Sequence, residues 1–140
     1  MKSYTAIFAN RIIFDRTEPF YQDDLPNFSF GRGHFTEIIA SDAKEFHFSK
    51  EAFHNLKSNE FHLPTGTAEI TERMFVGCKY LKYISIPGGI SSVANDAFDG
   101  CTALTDIDFG GTVEKWRSFG VTGFFIVHCT DGDCTIEPET

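Results

Sequence analysis

At 140 residues and with 41% apolar composition, the chain has the size of one compact domain. A mean hydropathy of −0.17 excludes both extended disorder and a bundle embedded in a membrane. Twelve Lys and Arg against twenty Asp and Glu give a net charge of −8, which disfavours direct nucleic-acid binding and favours a protein partner with a basic surface. Sixteen phenylalanines mean that aromatic rings fill much of the core.

The first residues, MKSYTAIFANRIIFD, place Asn10 and Arg11 where a secretory signal needs an unbroken apolar run. No stretch reaches the roughly 18 apolar residues of a membrane span, so the reading is a cytoplasmic protein without membrane contact. Residues 1–43 form an N-terminal cap segment in which TAIF, RIIF and TEIIA are strand candidates, the first two suited to a hairpin. Between them, DRTEPFYQDDLPNFSFGRGHF shows neither helical nor strand periodicity. It reads as a cap loop over the first repeat and also as a partner-binding segment. In the second reading Phe20, Tyr21 and Phe28 are anchors, and Asp23 and Asp24 steer towards basic charge.

The second half repeats with a period of 23 residues. Residues 70–90 (ITERMFVGCKYLKYISIPGGI) align without gaps on residues 93–113 (VANDAFDGCTALTDIDFGGTV), pairing Ile70 with Val93, Phe75 with Phe98, Cys78 with Cys101, Leu81 with Leu104 and Ile84 with Ile107. A shorter unit matches Phe61-His-Leu63 to Ile84-Ser-Ile86 and, with one deletion, Ala52-Phe53 to Ala97-Phe98. Phe46-His47-Phe48, 15 residues before Phe61, reads as the strand of a truncated first unit. Apolar-polar-apolar triplets specify short strands with one buried face. A lone strand leaves its other edges open, so the units must stack as parallel strands of one solenoid. The repeats span residues 44–113 and a C-terminal cap spans 114–140. There Asp131-Gly132 suits a two-residue hairpin turn that sets Cys129 opposite Cys134, close enough for a cross-strand disulfide. Buried free thiols are the alternative. Trp116 covers the end of the apolar stack.

These motifs, Ile84-Ser-Ile86-Pro87 … Ile90 … Ala97-Phe98-Asp-Gly100-Cys101-Thr-Ala-Leu104 above all, resemble leucine-rich repeat proteins of the BspA or Treponema pallidum type. The likeness extends over about residues 44–136. It implies a right-handed α/β solenoid of the kind found on bacterial, protozoal and viral proteins concerned with adhesion and protein binding.

Stacking in register sets the outward residues in columns: His47, His62, Ser85 and Asp108 in one, and Glu45, Glu60, Tyr83 and Asp106 in the next. His47 and His62 with Glu45 or Glu60 would be within reach of a transition metal, but two histidines specify little, and no metal or cofactor is assigned. Glu60, His62, Tyr83, Asp106 and Asp108 are better read as a protein-binding face with Tyr83 as its anchor. His128 and Cys129 are adjacent on one strand and so expected on opposite faces, which disfavours a catalytic dyad. Gly31-Arg32-Gly33 lacks the third glycine of a dinucleotide fingerprint, and Asp131-Gly132-Asp133 has too few oxygen ligands for a calcium loop. The sequence therefore points to a non-catalytic protein-interaction module. Its alternatives are a small acidic phage-type inhibitor that blocks a basic nucleic-acid-binding host enzyme, and a short cell-surface adhesin domain.

Overall fold

The computed structural model describes residues 4–8, 11–15, 19–24, 30–34, 36–40 and 45–137. Among these residues lie ten strands, one α-helix and a single 3₁₀ turn at Gln22–Asp24; in chain order the strands and helix are β1 (Tyr4–Phe8), β2 (Arg11–Asp15), β3 (Phe20–Tyr21), β4 (Glu37–Ala40), β5 (Phe46–His47), β6 (Glu60–His62), β7 (Tyr83–Ile86), β8 (Asp106–Phe109), α1 (Val113–Ser118), β9 (Ile126–Cys129) and β10 (Gly132–Cys134). Eight of the strands make one sheet in the order β1-β2-β4-β6-β7-β8-β9-β10. It is parallel from β2 to β9 and ends at each side in an antiparallel hairpin. The expected solenoid is thus present, with Phe61, Ile84, Ile107 and Val127 in register on its inner face.

The sheet carries parallel rungs into the N-terminal segment. Glu37 lies beside His62 and Arg11 beside Glu37, so TEIIA, and not Phe46-His47-Phe48, supplies the rung before β6. The Phe46 triplet has the right alternation but a different place. It pairs with β3 as a second, narrow parallel ladder that continues through Thr67. Strands of two or three residues alternate in the same way on either ladder, so the pattern alone could not separate them.

A third set of backbone bonds joins the turns of successive rungs. Phe53 N–H donates to Met74 O at 2.8 Å, Phe75 N–H to Ala97 O at 2.8 Å and Gly77 N–H to Asp99 O at 2.8 Å. Within each turn, i to i−3 bonds such as Cys78 N–H to Phe75 O at 3.2 Å close the backbone into single tight turns. Gly77 and Gly100 occupy equivalent positions with φ of 73° and 79°. A Cβ on Gly100 would stand 3.1 Å from the Gly77 nitrogen, so glycine serves both the backbone conformation and the close approach of the rungs.

Inside these turns the rings of Phe30, Phe53, Phe75, Phe98 and Phe125 follow one another with centroids 5.1, 5.5, 5.7 and 5.8 Å apart. The middle pairs are close to parallel, at 15° and 4°. Cys78 Sγ donates to Phe53 O and Cys101 Sγ to Phe75 O, each at 3.1 Å. The two cysteines therefore do fill one equivalent slot, and each thiol ties its own rung to the preceding one.

At the C-terminal end Thr112 caps α1 by accepting from Lys115 N–H at 3.1 Å. The Asp131 carboxylate accepts from Val113 N–H at 2.9 Å. Trp116 is buried against Phe109 and Phe119, closing the stack. The hairpin differs from its expected register. Cys129 pairs with Gly132 and Cys134 with Val127, so the turn falls at Thr130-Asp131 and the cysteines lie two pairs apart along the hairpin. All four cysteines are free thiols.

The ring column carries a clear expectation. Phe75→Ala should lower the unfolding free energy by about 3–5 kcal/mol, whereas Phe124→Ala, at a side chain 74% exposed, should change it by less than about 0.5 kcal/mol. Urea unfolding followed by circular dichroism measures both; equal losses would mean that the column does not hold the rungs together.

Candidate functional site

The alternation that buries Phe61, Ile84 and Ile107 turns Glu60, His62, Tyr83, Ser85, Asp106 and Asp108 to the outer face of the sheet. Glu60, Tyr83 and Asp106 form one column, which Ile126 extends; His62, Ser85 and Asp108 form the next, which His128 extends. All five residues chosen from the repeat therefore share one surface. His47 does not belong to it, because β5 pairs with β3 in the other ladder. The His47–His62 metal reading fails on that separation: each histidine instead contacts the glutamate two residues before it, His47 to Glu45 at 3.0 Å and His62 to Glu60 at 3.2 Å.

The face is a connected polar array. Tyr83 OH donates to Asp108 Oδ2 at 2.5 Å across neighbouring strands, and its ring lies 5.5 Å from that of His62. Burial, and then the Asp108 carboxylate, push the Tyr83 phenol up to about 12, because a phenolate would lose hydration and face a second negative charge. One strand further, His128 Nε2 meets Asp106 Oδ1 at 2.8 Å and its Nδ1 meets Asp133 Oδ1 at 3.0 Å. The bond to Asp106 and then that to Asp133 raise the His128 pKa, while His128 and then Thr105 lower that of Asp106. Both His128 nitrogens are engaged, and burial pushes the adjacent Cys129 thiol up, so this pair is not set up as a base and nucleophile.

Among the five N-terminal candidates the structure divides the roles. Phe20 is fully buried, with its ring about 6 Å from those of Phe30, Phe46 and Phe48; it is a core residue and cannot anchor a partner. Tyr21 is 46% exposed and stacks flat on His47 at 4.4 Å. Asp23 accepts from Ser49 Oγ at 2.5 Å, and Asp24 is exposed. Phe28 lies outside the described residues. Sequence reasoning missed His128, Ile126 and the Arg11–Glu37 ion pair of 2.8 Å, all of which extend the face. The triplet Val127-His128-Cys129 carries the same alternation as Ile107-Asp108-Phe109 and could have revealed the first of them.

Residues 20–122 match the BspA type leucine rich repeat region in six copies, and the chain belongs to that family. The fold is a scaffold for protein interaction or surface display and is typically non-catalytic. No curated protein matches the chain. Among solved structures it is similar to a leucine rich cell surface protein from Faecalibacterium prausnitzii A2-165, at 17% identity and a TM-score of 0.41, over 84% of this chain and 40% of that one. The chain thus spans less than half the length of that protein. Among the described residues no helix is long and apolar enough to cross a membrane.

Two titrations follow. The raised His128 pKa means that its stabilisation is complete below about pH 6.5, the unfolded value, and is lost as pH rises through the folded one. The lowered Asp106 pKa means that its share is lost as pH falls below the ordinary carboxylate range. Thermal melts between about pH 6 and 9 should therefore show a decline that is smaller in His128→Gln, and NMR titration should place His128 above 6.5. Absorbance titration should find the Tyr83 phenolate forming near 12, and Asp108→Asn should move it down; an unmoved midpoint would contradict the hydrogen bond.

Proposed function

We propose that this chain is a non-catalytic protein-binding module and that the outer strand face, centred on Tyr83, is its contact surface. The observation that supports the reading is the array itself: an ordered aromatic side chain flanked by Glu60, Asp106 and Asp108 on a flat run of parallel strands. A tyrosine held at its hydroxyl loses little freedom on binding and offers a large amphipathic surface. The carboxylates around it select a basic partner and speed its approach. Tyr21, Asp23 and Asp24 form a secondary acidic patch on the narrow ladder.

Among the alternatives, inhibition of a basic nucleic-acid-binding enzyme draws on the same observation, since a row of carboxylates resembles the charge pattern of a phosphate backbone. Display on a cell surface is compatible with the family. A cytoplasmic setting fits the four free thiols, two of which serve as donors inside the array.

Affinity capture with a captured partner then measured by calorimetry tests the reading. Tyr83→Ala should weaken binding about 30-fold or more, and raising salt should weaken the wild type more than an Asp106→Asn, Asp108→Asn variant. Unchanged affinity in both variants would remove the strand face as the contact surface. Competition by DNA or RNA would favour the inhibitor reading.

A further inference from the structure

Away from the strand face, the turns that hold the phenylalanine column carry a cluster of positive charge on an acidic protein. Arg32, Lys57, Lys79 and Tyr80, with Asn55 and Leu56, line an open pocket of about 310 Å³. Lys57 and Lys79 each stand four residues after a column phenylalanine, Phe53 and Phe75, so the repeat sets their ammonium groups on neighbouring rungs. Arg32 enters from the preceding rung, fixed by its N–H to His54 O at 2.9 Å and by Lys57 N–H to Gly33 O at 2.8 Å.

The cluster is uncompensated. Two other basic residues of the array do meet carboxylates across rungs, Lys50 with Glu72 at 3.3 Å and Arg73 with Glu51 at 3.8 Å. Among the described residues, Arg32, Lys57 and Lys79 have no acidic partner within ion-pair distance, and no acidic residue lines the pocket. Like charges on adjacent strands or rungs repel and cost stability, and a chain with twenty carboxylates had ample means to neutralise them. The same pocket holds Tyr80, 49% exposed, with Lys79 Nζ 5.4 Å from its ring centroid. Three cations around a cavity attract an oxyanion, and an exposed ring beside them offers a flat apolar wall to whatever carries it. The cavity has room for more than a bare tetrahedral anion.

We propose that this pocket binds a phosphate or sulfate ester, with Arg32, Lys57 and Lys79 pairing with the oxyanion and the Tyr80 ring lying against its carrier. The site is independent of the strand face and of any protein partner. NMR titration of the full chain with inorganic phosphate, inorganic sulfate, glucose 6-phosphate and glucose 6-sulfate tests it. Saturable shifts are expected at the amides of Asn55, Lys57, Lys79 and Tyr80, with those of Asp106 and His128 unmoved, and the tighter of the two esters identifies the source of the anion. The Lys57→Gln, Lys79→Gln double variant should lose about tenfold in affinity per lysine while melting at the same or a higher temperature at low salt. Tyr80→Ala should weaken the ester and spare the inorganic anion. Absence of saturable shifts with all four probes would overturn the proposal, as would affinity unchanged in the double variant or equal binding of uncharged glucose.

Discussion

Everything the chain displays depends on a column of phenylalanine rings that successive rungs share. A single rung of this array is a few extended residues and a tight turn, with too little apolar surface to offset the entropy of ordering it. Stacking the rings of Phe30, Phe53, Phe75, Phe98 and Phe125 converts each rung's exposed aromatic area into contact with the next. The stacking also fixes the rung spacing, and that spacing sets the strands in register and lets the Cys78 and Cys101 thiols reach the carbonyls behind them.

The surface chemistry follows from the same register. Because the rungs repeat, any residue type that recurs at one offset becomes a column on the outside of the molecule. Acidic and aromatic residues before and after each inner strand residue yield the Glu60, Tyr83, Asp106 column. Lysines four residues after Phe53 and after Phe75 yield a basic pair on neighbouring rungs, beside Arg32. An acidic chain thus presents two electrostatically opposite surfaces without a second domain. The family places such scaffolds in protein interaction or surface display, and the chemistry of each face determines what it can select.

Much of this was legible in the sequence, and the failures have physical causes. The 23-residue period exposed the parallel strands, the inner column and the equivalence of Cys78 with Cys101, because those positions admit only apolar residues of similar size. Phe30 escaped notice although it stands 23 residues before Phe53. Its neighbours Gly31 and Arg32 look like loop residues, and Arg32 takes a left-handed conformation, φ 65°, which later rungs assign to Gly77 and Gly100. Phe20 was read as an exposed anchor because an acidic, proline-containing context hides a buried ring. His128 was lost because α1 shortens the last interval from 23 residues to 20, and a gap-free alignment stops there. Phe46 was placed on the wrong ladder because two residues of strand carry no signature of which ladder they join.

A double-mutant cycle tests the shared column most directly. Phe53 and Phe75, adjacent in the stack, should couple by about 0.5–1.5 kcal/mol when each is replaced singly and together by Leu. Phe53 paired with Trp116, which closes the far end of the array, should be additive within about 0.5 kcal/mol. Additive losses for both pairs would contradict the column as the interaction that joins the rungs.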